Sequence, residues 1–147
     1  MRGDFVRDEE KLYRSIRREC ATRDQEGKWR YSPDAFRDPD KQPSVDRAHL
    51  RNNDPSTSRR GPTDAVASLI AHQVRAIDKV IERTEDNREA PYRIDVIPDK
   101  IANHPELPDN PAHARIVGDR PLNNAAFKKL KQILSQLAEA EIPPILE

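Results

Sequence analysis

One cysteine, four glycines and only 5% aromatic residues narrow what this chain can be before any motif is sought. Cys20 is alone, so no disulfide can close within the chain and a zinc site rich in thiolates is excluded. The scarcity of glycine argues against loops that cradle phosphates through close backbone approach. No P-loop, dinucleotide fingerprint, HExxH, EF-hand or nucleophile elbow occurs, and no internal repeat is present. Net charge is also missing: 26 basic and 26 acidic residues cancel, so no global field draws the chain to nucleic acid or to an anionic membrane. No apolar run approaches the roughly 20 residues of a membrane helix, and the N-terminus lacks the apolar core of a signal peptide. The expectations are a cytoplasmic protein with no cofactor, no metal, no membrane contact and no nucleic-acid partner.

What remains is a highly charged chain with a modest apolar content. Its 147 residues suit one domain over 1–147. Leu, Ile, Val and Phe make up about a fifth of the chain, while 35% is charged and 13 residues are proline. Such a composition predicts a loop-rich N-terminal third, with flexible tails at 1–7 and 140–147 and a mobile loop over 51–63. The clearest period lies near the end. Phe127, Leu130, Leu134 and Leu137 recur at three- and four-residue spacing, widened by Ala126 and Ile133, and predict an amphipathic helix from Asn123 to Glu139. Tyr92, Ile94 and Val96 alternate in a strand predicted over 92–97, and His113 to Val117 is predicted as a second strand that pairs with it. The fold class is therefore α+β: a small antiparallel sheet packed against a C-terminal amphipathic helix. Earlier in the chain, acidic residues before Leu12, Tyr13, Ile16 and Cys20 predict a helix over 8–20. Lys28 to Tyr31 is a short strand-like piece, followed by a turn or a single helical turn. Ser44 to Leu50 reads as a capped one-turn helix. Residues 74–83 are predicted helical, and 65–72 fit a strand or a helix equally.

Candidate functional residues fall into two sets. Asp46, Arg47, His49 and His113 supply an acid, a guanidinium and imidazoles. Meeting in one cleft, they would suffice for phosphodiester hydrolysis by acid–base action and charge stabilisation. Asp46 and His49, three apart, share a face if 44–50 is helical. The second set would meet a partner: the aromatics Trp29, Tyr31 and Phe36, and the apolar tail residues Ile142, Ile145 and Leu146. A basic set, Arg14, Arg17, Arg18, Arg59 and Arg60, is interspersed with acids.

Three segments carry a resemblance: Tyr31 to Phe36 (YSPDAF), Pro43 to Ala48 (PSVDRA) and Asp109 to Ile116 (DNPAHARI). In this order they resemble a group of small bacterial proteins without an assigned activity, over roughly residues 10–139. The resemblance implies a bacterial origin and one intact domain, and it carries no catalytic role onto Asp46, Arg47 or His113. The expected function is that of an accessory or adaptor protein that binds another protein. The alternative is a small hydrolase or nuclease-like enzyme.

Overall fold

In the computed structural model, residues 5–145 are described. The first apolar stripe makes a strand, not the helix expected over 8–20: β1 runs Lys11–Ile16. Leu12 and Ile16 turn into the core, whereas Tyr13 belongs to a second cluster with Ala48 and Val66 on the opposite face. Between Leu12 and Ile16 stands Arg14, which donates to the carbonyls of Ala35 (2.7 Å), Ser44 (2.8 Å) and Arg37 (3.0 Å). Its guanidinium also lies over the Phe36 ring. Burial brings its ionisation down to about 10, against the opposing pull of Asp38, so it stays cationic at neutral pH. A charge at a core-facing position and apolar residues on both faces conceal the period of two.

A 3-10 turn and the hairpin β2 (Ala21–Arg23) and β3 (Trp29–Tyr31) follow, then a 3-10 turn at Pro33–Phe36. β4 (Ser44–Arg47) is a strand where a capped helical turn was expected, and the helical geometry is deferred to a 3-10 turn at Ala48–Arg51. Asn52 closes that turn at φ 54°, a left-handed conformation that asparagine tolerates. Within 51–63, Pro55–Ser58 forms another 3-10 turn, capped by the Asp54 side chain, and Ser58 is buried.

The ambiguous run 65–72 resolves mainly into β5 (Ala65–Ile70), buried on both faces. α1 is only Ala71–Arg75. The helix expected over 74–83 stops there because Ile81–Arg83 (β6) pairs with Glu89–Pro91 (β7), with Val80 buried just before it. Its branched residues are at ease in an extended chain. β8 (Ile94–Pro98) and β9 (His113–Gly118) pair antiparallel, Val96 opposite Ile116, in agreement with the pattern read from the sequence. α2 (Asn124–Leu137) is capped by Asn123, whose side-chain oxygen accepts from the Ala126 amide at 2.8 Å. β10 (Glu139–Ile142) then returns the segment expected to be a tail to the sheet, against β5.

The main sheet has order β10-β5-β1-β4-β9-β8, and every pairing is antiparallel. One face is the core. Leu12, Ile16, Val45, Ala67, Ile94, Val96 and Ile116 share a cluster with Phe36 and with Ala126, Phe127, Leu130 and Leu134 of α2. The free edge of β8 is blocked by side chains: Arg75 donates to the Val96 carbonyl, and Asp95 accepts from the Val96 amide. The other sheet face is polar in its middle, and this face sets the site.

Candidate functional site

A strand sends successive side chains to opposite faces, and β4 thereby separates residues that the sequence placed together. Arg47 lies opposite Leu12, while Asp46 lies between Tyr13 of β1 and His113 of β9. Arg47 is buried on its side of the sheet. Its Nε and Nη2 donate to the two Glu10 oxygens at 2.8 and 2.9 Å, and Nη2 also donates to the Phe5 carbonyl. His49, carried past the strand by the 3-10 turn, brings Nδ1 to 3.5 Å from Glu10. Burial works to raise the Glu10 carboxyl, but the Arg47 hydrogen bonds and charge and the Arg7 amide outweigh it and hold it below its usual range. Arg47 and His49 thus gather at Glu10, and Asp46 and His113 gather on the polar face. The four do not converge in one cleft, and Asp46 and His49 share no helical face because 44–47 is extended.

On the polar face, Asp46 is a buttress. Its two oxygens accept from Ser58 Oγ (2.8 Å) and Asn110 Nδ2 (2.9 Å), with Arg51 Nε at 3.5 Å. These bonds tie the 55–58 turn and the 99–111 connection to β4. His113 holds the same connection: its Nδ1 lies 2.7 Å from the Asp99 carbonyl oxygen. A carbonyl only accepts, so the neutral ring carries its hydrogen on Nδ1 and its lone pair on Nε2. Arg115 Nε donates to the Asp99 carboxylate at 2.5 Å. Among the described residues, no group of three His, Cys, Asp or Glu side chains is placed to hold a metal ion.

The aromatic set divides. Phe36 and Tyr31 are buried, so they anchor the hairpin and the following turn to the core and present no surface to a partner. Burial, with Glu139 and Glu141 adding to it, pushes the Tyr31 hydroxyl up to about 12. Trp29 is half-buried beneath the Arg23 guanidinium. Of the tail set, Ile142 packs partly against Tyr13, Ala48 and Val66, Ile145 is exposed, and Leu146 lies outside the described residues.

A second concavity lies between α1 and α2, a groove of about 500 Å³ with Ala76, Ile77, Ile133 and Leu137 among its lining residues. Ile133 and Leu137, read from the sequence as part of the core stripe, are only half-buried at its margin. The stripe on α2 is wider than the sheet covers, and that excess width was the signal available in the sequence. Lys79 and Lys129 flank the groove, and neither has an ion-pair or hydrogen-bond partner among the described residues. α2 itself carries Lys128, Lys129 and Lys131 and no acid. Asp78 is the one carboxylate in the lining.

Comparisons of the chain with protein-family models, with curated proteins and with solved structures find no match. Among the described residues no helix is long and apolar enough to cross a membrane.

Proposed function

We propose that this chain is a small bacterial accessory or adaptor protein of the cytoplasm that works by binding another protein, and that the α1–α2 groove receives that partner. The observation that carries this reading is the groove itself. Ile133 and Leu137 are only half-buried beside the buried Ile77, and the side chains of the flanking Lys79 and Lys129 have no partner among the described residues. Apolar surface left open between two helices gains free energy when covered, and an amphipathic helix laid into a groove is a recurring way to cover it. The lysines select its charge: the occupant is an acidic amphipathic segment of the partner protein. The dispersal of Asp46, Arg47, His49 and His113 over two faces supports binding over hydrolysis.

The test uses the isotopically labelled full chain and a synthetic peptide of about 15 residues with leucine at i, i+3, i+4 and i+7 and glutamate elsewhere. The expected result is a set of NMR shift changes confined to 72–79 and 129–137, abolished by Ile133→Asp and weakened when lysine replaces the peptide glutamates. Shifts spread over the sheet, or binding that survives Ile133→Asp, would reject the groove as the docking surface.

A further inference from the structure

The polar sheet face opens into a separate groove of about 830 Å³. Its floor includes Asp46, His113 and Arg115; one wall is Ser58, Arg59 and Arg60, and the other is the 99–111 connection. The whole chain is electrically neutral, but this groove is not. Arg51, Arg59, Arg60, Lys100 and Arg115 line it against three carboxylates, Asp46, Asp99 and Asp109. Those carboxylates are already engaged. Asp46 accepts from Ser58 and Asn110, Asp99 from Arg115, and Asp109 from the Asn103 amide. Arg59, Arg60 and Lys100 have no side-chain hydrogen-bond or ion-pair partner among the described residues.

One guanidinium nitrogen makes the deficit sharper. Arg59 Nε is buried with no hydrogen-bond acceptor among the described residues, whereas Arg51 Nε has the Asp46 carboxylate at 3.5 Å. A buried donor left unpaired costs about 1–3 kcal/mol, and more on a charged group, so native structures seldom keep one without a reason. An anion docked on the exposed end of the Arg59 fork would offset the charge that no carboxylate in the groove balances. The charge of the anion follows from the count of unpaired cations. A phosphate monoester carries about −1.5 to −2 at neutral pH and offers three acceptor oxygens, which suits a cluster of three better than a single carboxylate does. At the other end of the groove the lining turns apolar with Ile101, Leu107 and Pro108. There the His104 ring accepts from the Glu106 and Leu107 amides and fixes the loop. The volume falls within the range of small-molecule sites.

We propose that this groove binds a small phosphorylated metabolite of nucleotide size, its phosphate held by Arg59, Arg60 and Lys100 and its organic body against Ile101 and Leu107. The assignment is independent of the α1–α2 groove, and neither stands on the other.

Calorimetric titration of the full chain with adenosine monophosphate, adenosine and inorganic phosphate tests it. The expected order is monophosphate tightest, inorganic phosphate weaker and adenosine undetectable, with affinity falling as salt rises. Arg59→Gln and Lys100→Gln should each weaken the monophosphate by about tenfold or more, the worth of one charge-assisted hydrogen bond. Lys100 is exposed, so its variant keeps the test open if the Arg59 variant does not fold. Lys128→Gln, on α2, should change nothing. Absence of monophosphate binding, equal binding of adenosine, or unaltered affinity in both groove variants would overturn the proposal. So would a phosphoserine peptide binding more tightly than the monophosphate, because the phosphate would then be borne by a protein.

Discussion

Replacing Arg47 by methionine isolates an ion pair that is buried on both sides. Arg47 and Glu10 have side chains only 6% and 9% exposed and are joined by two hydrogen bonds. Methionine keeps most of the volume but leaves the Glu10 carboxylate buried without its cation and the Phe5 carbonyl without that donor. Breaking a buried pair from one side costs about 3–5 kcal/mol, a large share of the total stability of a small domain. The sign of the pH effect follows from Glu10, whose carboxyl is held below its ordinary 4.5 in the folded protein. A lowered folded value means that its stabilisation is fully present above the unfolded value and is lost as pH falls through the folded one. In the variant the raising effect of burial is opposed only by the Arg7 amide and the nearby His49, so protonation relieves part of the strain. The deficit of Arg47→Met should therefore be full at neutral pH and shrink toward pH 4. Urea unfolding followed by Trp29, the only tryptophan, measures both values. The double variant Arg47→Met, Glu10→Leu should recover most of the loss, because an apolar pair of similar volume replaces an ion pair at little cost. A deficit below about 1 kcal/mol at neutral pH, or one that does not change with pH, would refute this account of the pair.

Leu134 is fully buried on α2, so Leu134→Ala should lower stability by about 2–5 kcal/mol in urea unfolding, and a change under about 0.5 kcal/mol would mean that α2 is not docked. Asp46→Ala removes the acceptor shared by Ser58 and Asn110. Hydrogen exchange should accelerate by about tenfold or more in 55–58 and 99–112 while β1 and β5 stay protected, and uniform protection would show that Asp46 does not tie these walls down.

Local pattern alone determined the parts of this protein whose neighbours cover a single face. α2 has one apolar stripe and an asparagine cap, and β8 alternates cleanly, so their periods were legible and the α+β class followed. The strands β1 and β4 were not legible and β5 fitted a strand or a helix equally, because both of their faces are covered and a two-sided strand shows little contrast between them. Arg14 adds to this: a cation at a core-facing position looks like a solvent face until three backbone carbonyls, at residues 35, 37 and 44, come to it. The candidate site failed for the same reason. Asp46, Arg47 and His49 are neighbours in sequence, but an extended chain sends Asp46 and Arg47 to opposite faces. Only strand pairing brings Asp46 beside His113, 67 positions along the chain. Arg59, Arg60 and Lys100 stood among ordinary surface charges in the sequence. Tertiary structure alone gathers them on one groove and engages its carboxylates elsewhere, because electrostatic complementarity depends on distance in space and not on order along the chain.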